Sequence, residues 1–86
     1  MIVQVCVTAD DIKHGRRGAL CRCPVARALH RAIPASRIDV GDSGAACFDG
    51  ERWMQVELPS AVTRFIHAFD DRQPVKPFDF EIEVEA

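Results

Sequence analysis

Several things are missing from this chain, and each absence narrows its class. No apolar run approaches the ~20 residues that a membrane-spanning helix needs, so no membrane partner is expected. The opening "MIVQVCVTADD" has neither the basic n-region nor the small-residue cleavage site of a secretory signal. The expected location is therefore the cytoplasm, where four cysteines stay reduced and do not imply two disulfides. No internal repeat and no low-complexity segment is visible. With 86 residues and 48% hydrophobic content, residues 1–86 read as one small globular domain, near the lower limit for folding without staples.

The most telling absence is of acids in the segment from Ile12 to Ile38. It holds Lys13, Arg16, Arg17, Arg22, Arg27, Arg31 and Arg37 and no carboxylate, while the whole chain has a net charge of −2. One third of the chain is thus strongly basic and the remainder strongly acidic. Such asymmetry steers a charged partner or pairs one part of the protein with another.

Local patterns predict the elements. "IVQVCVT" alternates with period two and is rich in Val, which makes a strand; its second face is only weakly polar, so both faces are expected to be covered. Thr8 and Asp11 have capping-box spacing, and a helical turn from Ala9 to Lys13 follows, stopped near Gly15. "GRRGALCRC" is a loop. Pro24 suits the first turn of a helix whose Val25, Ala28, Leu29, Ala32 and Ile33 make one apolar stripe, ended by Pro34. "RIDV", Ala45 to Phe48 and "RWMQVEL" are short strands, with "GDSG" between the first two. Asp49-Gly50 between the last two predicts a type I′ hairpin turn. "PSAVTRFIHAFDD" carries a second apolar stripe, Val62, Phe65, Ile66 and Phe69. "FDFEIEVE" alternates strictly, with Phe78, Phe80, Ile82 and Val84 inward and Asp79, Glu81, Glu83 and Glu85 outward. The expected fold class is α+β, in the order β-α-α-β-β-β-α-β. A mostly antiparallel sheet would have its two main helices packed on one face.

"HGRRGALCRCPVARALHRAIP" carries the chemistry-bearing residues, and three readings compete. A metal site from Cys21, Cys23, His14 and His30 lacks the usual spacing of structural zinc ligands, so neither metal nor cofactor is expected; Cys6 and Cys47 suit packed apolar thiols. Cys23, at the N-cap before Pro24, would have its pKa lowered by the helix dipole and Arg22. A thiol nucleophile also needs a base, and His14 and His67 are candidates only by elimination, so no catalytic residue is assigned. Arg16, Arg17, Arg22 and Arg27 could converge with Cys23 at the helix N-terminus and hold an anion, although "GRRG" is no P-loop. The bland alternative is a solvated basic loop that pairs with the acidic last strand. For nucleic acid the segment lacks aromatics between Lys13 and Arg37, and Trp53 suits a core or interface better than a base platform.

"TADDI", a Gly/Arg loop, "CPVARAL" and "FIHAFDDRQPVKPFDFE" together resemble a family of small, uncharacterised proteins of actinobacterial phages, over nearly the whole chain. Cys21 beside Cys23 is a departure from that pattern. The resemblance implies no activity and no catalytic residues. It implies a context in which small accessory proteins often act by binding a host component. The expected function is a non-enzymatic binding module working through residues 13–37. Its ligand-binding residues would be Arg16, Arg17, Arg22, Cys23 and Arg27, and its partner an acidic host or phage protein or a nucleic acid. A homodimer is open. The alternative is a small anion-binding or thiol-dependent enzyme with Cys23 at the helix start.

Overall fold

The structure is a computed structural model that describes every residue except Met1, Leu20, Asp42, Ser43, Glu85 and Ala86. Leu20 of the basic loop, the middle of "GDSG" and the outward Glu85 therefore lie outside the described residues. The elements are β1 (Ile2–Val7), α1 (Ala9–His14), α2 (Pro24–Ala32), β2 (Arg37–Val40), β3 (Ala45–Phe48), β4 (Trp53–Val56), α3 (Ser60–Asp70) and β5 (Phe78–Glu83). The α+β class and the element order are those expected, and every ladder is antiparallel. The strands form two ladders, β1-β5 and β2-β3-β4.

In the first ladder Val3, Val5 and Val7 stand opposite Ile82, Phe80 and Phe78. These six side chains share one face, and both main helices lie against it. Helix α2 packs on β1 and also on β2, so it ties the two ladders together. Helix α3 meets β5 through Phe65, whose ring is 4.8 Å from that of Phe78. Val25 and Leu29 of α2, Val5 and Val7 of β1 and Ile38 of β2 are fully buried in one core. Burying each such side chain contributes roughly 1.5–3 kcal/mol.

The other face of β1 corrects an expectation. Gln4 and Cys6 are exposed opposite Glu81 and Asp79, and Ile2 is 66% exposed. Cys6 is thus no packed thiol; Cys47, by contrast, is buried. The alternation of β5 left its partner strand with a wet face too, because paired residues point the same way.

Two turns differ from their local signals. At Asp49-Gly50 only Gly50 has positive φ, at 105°. The hairpin closes through Asp49 N–H to the Arg52 carbonyl at 3.2 Å, which leaves Gly50 and Glu51 central. Glycine at the first central position is the pattern of a II′ turn, not I′. The Asp49 carboxylate is spent on the N–H groups of Glu51 and Arg52, at 2.9 and 3.0 Å. Gly15 does end α1, but in an extended conformation. A Cβ there would lie 2.6 Å from Pro24 Cδ, so the glycine is needed for close approach.

Candidate functional site

The basic segment is held by its own arginines. Thr8 and Asp11 form the expected capping box, with Thr8 N–H donating to Asp11 Oδ2 at 2.9 Å and Asp11 N–H to Thr8 Oγ1 at 3.2 Å. Asp11 is completely buried, and it has a second role. Arg31 grips both its oxygens, at 3.0 and 2.7 Å, and also donates to the Cys6 carbonyl at 2.7 Å. Burial alone would raise the Asp11 pKa. The Arg31 and Thr8 hydrogen bonds outweigh that and hold it at about 2. Arg27 joins the same cluster, 3.5 Å from Asp11 and 3.6 Å from Asp10. Its buried Nε makes no hydrogen bond among the described residues, so that contact is Coulombic only.

Arg17 is engaged elsewhere. Its Nε donates to the Phe69 carbonyl at 3.1 Å, and its guanidinium lies 5.0 Å from the centre of the Phe69 ring. Next to it, Gly18 N–H donates to Asp70 Oδ1 at 3.1 Å. A cation on the last carbonyls of α3 is favoured by the helix dipole, and the ring face adds a cation–π contact. The loop after α1 is thereby pinned to the end of α3. Its own two ends are joined by Arg16 N–H to the Arg22 carbonyl at 2.8 Å.

The five expected ligand-binding residues therefore do not converge. Arg27 turns to α1 and Arg17 to α3. Cys23 is buried, and Arg16 and Arg22 remain on the solvent side of the loop. The partners of Arg17, Arg27 and Arg31 among the described residues lie on α1 (Asp10 and Asp11), on β1 (the Cys6 carbonyl) and at the end of α3 (the Phe69 carbonyl). Arg37 pairs with Asp39 at 3.1 Å on its own strand. Among the described residues, only Lys13, Arg16 and Arg22 of the seven basic side chains have no such partner.

Cys23 is the N-cap of α2, as expected, and its Sγ accepts from Ala26 N–H at 3.4 Å. The expected depression of its pKa is overturned. Burial pushes the thiol up and outweighs the Ala26 and Val25 N–H groups, and the Asp70 carboxylate adds to the rise. Its α2 terminus opens on a cavity of about 310 Å³ lined by Gly18, Ala19, Cys23, Val40, Gly41, Ile66 and Asp70. The one ionic side chain in that lining is an acid, and Cys23 already occupies a helix N–H. Neither feature suits an anion. His14 is turned outward, its Nδ1 3.2 Å from an Asp10 oxygen. Among the described residues, no three His, Cys, Asp or Glu side chains form a metal-ligand set.

Sequence reasoning treated Asp11 as a helix cap only. Its bond to Arg31 spans 20 positions, and nothing local marks it. Comparison with known protein families, curated proteins and solved structures finds no match. No helix among the described residues is long and apolar enough to cross a membrane.

Proposed function

We propose that this chain is a non-enzymatic binding module that recognises an acidic protein segment through the neck of its basic loop, where Arg16 and Arg22 meet. The observation that carries the reading is the division of labour among the arginines. Arg17, Arg27 and Arg31 hold the fold together, whereas Arg16 and Arg22, whose backbones are joined by a hydrogen bond, have side chains that are exposed and unpaired among the described residues. Two guanidinium groups on a pinned loop suit bidentate carboxylate binding, at lower ordering cost than on a free one. The loop offers no aromatic for base stacking, which favours acidic peptide over nucleic acid. The resemblance to small phage proteins lends context to the reading, since small phage accessory proteins often act by binding a host component.

Fluorescence anisotropy with a labelled Asp/Glu-rich peptide tests it, beside a single-stranded oligonucleotide of equal charge. The peptide is expected to bind more tightly, with affinity falling at least tenfold in Arg16→Ala/Arg22→Ala and at high salt. Tighter oligonucleotide binding would reassign the surface to nucleic acid. Peptide binding that ignores the double substitution would overturn the reading.

A further inference from the structure

We infer that β4 is a self-recognition edge, along which two copies of this chain pair antiparallel about a two-fold axis and each inserts Trp53 into a trough on the other. The inference is independent of the loop reading above.

The first observation is the open edge. Strand β4 ends the order β2-β3-β4, so among the described residues no further strand pairs along its far side. The hydrogen-bond parity of the strand says which groups point outward. Asp49 N–H reaches the Arg52 carbonyl, so that pair faces inward at the turn. Phe48↔Trp53 must then point away, Cys47↔Met54 inward, Ala46↔Gln55 away and Ala45↔Val56 inward. The Phe48 carbonyl confirms the parity, because it accepts from Ser36 N–H on the β2 side at 2.9 Å. Trp53 and Gln55 therefore offer their N–H and C=O groups outward, and no described backbone group takes them. Unprotected edges of this kind pair with further strands.

The second observation is a fit between a protrusion and a hollow. Trp53 is 50% exposed, and its ring meets that of Phe48 at a 41° tilt with ring centres 5.2 Å apart. Across the same sheet runs the row Asp39↔Ala46↔Gln55, where the small Ala46 lies between two longer side chains. A trough of about 260 Å³ opens there, bounded by Gly41 and Gly44 and extending to Glu57. Trp53 is not among the side chains that line this trough, and it stays 50% exposed beside it.

Charge excludes the registers centred on Met54 and on Trp53, and the trough, which ends at Glu57, disfavours centring on Val56, where Trp53 would meet Pro59. Side chains opposite each other in an antiparallel pair share a face, so outward residues must meet outward residues. Centring on Met54 would set Glu57 against Glu51 of the second copy, and centring on Trp53 would set it against Asp49. Centring on Gln55 sets Glu57 against Trp53 and Gln55 against itself, with no carboxylates opposed. In that register each Trp53 reaches the second copy at Glu57, the end of its trough. The contact is isologous and closes as a dimer without growing into a filament. Its area is small, so the dimer is expected to form at micromolar concentrations.

Sedimentation velocity from 1 to about 500 µM is the test, a span that brackets such affinities. The wild-type chain is expected to pass from monomer to dimer, with Trp53 emission shifting to the blue and acrylamide quenching falling over the same range. Gln55→Pro removes an outward N–H and leaves the Met54 and Val56 ladder bonds to β3 intact. It is expected to stay monomeric with an unchanged far-ultraviolet spectrum. Trp53→Lys is expected to weaken the dimer at least tenfold, and it decides in place of Gln55→Pro should the latter unfold. A wild-type chain that stays monomeric throughout, or a dimer unaffected by these substitutions, would overturn the inference.

Discussion

Neutralising Asp11 gives the sharpest prediction. In Asp11→Asn the shape is kept and the charge removed, so the loss is that of the carboxylate's preference for its folded surroundings. That preference is the drop of its pKa from 3.8 unfolded to about 2 folded. At ~1.4 kcal/mol per unit, the shift is worth about 2 kcal/mol at pH 7. Breaking a fully buried pair costs about 3–5 kcal/mol, but here Arg31 and Arg27 are partly exposed and regain water, which favours the lower figure. Against a total of about 5–15 kcal/mol this is a large fraction, and it lowers Tm by roughly 10 °C. The sign with pH follows from the depressed pKa. The contribution is complete above the unfolded value near 4 and disappears as pH falls through about 2, so wild type loses it between about pH 5 and pH 2. Asp49, also held low by the Arg52 and Glu51 N–H groups, adds to acid sensitivity in both proteins. Urea unfolding followed by circular dichroism from pH 7 to pH 2 measures the difference. Asp11→Asn is expected to start about 2 kcal/mol lower and to converge on wild type in acid. A gap that stays constant with pH would refute the argument, as would Asp10→Asn, at an exposed carboxylate, costing as much.

Three further outcomes are expected. Gly15→Ala forces Pro24 away from a 2.6 Å contact and should cost about 1–3 kcal/mol in urea unfolding, although alanine is the better helix former. Arg72 holds a φ of 62° just past α3, where its N–H and that of Gln73 close the helix on the Phe69 and Ala68 carbonyls. Arg72→Gly relieves that left-handed backbone and should raise stability by about 0.5–1 kcal/mol, visible as a higher Tm. Timed alkylation at pH 8 with intact-mass readout should modify Cys6 and Cys21 well before Cys23 and Cys47, the order set by exposure; rapid labelling of Cys23 would reopen the thiol reading.

The sequence by itself determined what depends on neighbours within a turn or a pleat. The β5 alternation, the α2 and α3 stripes, the Thr8–Asp11 box and Pro24 behind a Cys23 cap are all properties of 2.0- and 3.6-residue periods, and they held in place. It also held the charge asymmetry, but not its meaning. Whether an arginine is a tool or a strut depends on what lies across space. Arg31 finds Asp11, Arg17 finds the end of α3, and Arg16 and Arg22 find nothing described, although all four look alike along the chain. The wet face of Cys6 and the burial of Cys23 were likewise decided by packing. A strand's periodicity marks two faces without saying which will be covered, and a helix dipole lowers a thiol pKa only where desolvation does not outweigh it. The tertiary structure alone set the open edge of β4, because an edge is defined by which strands pair and no strand carries that information in its own residues.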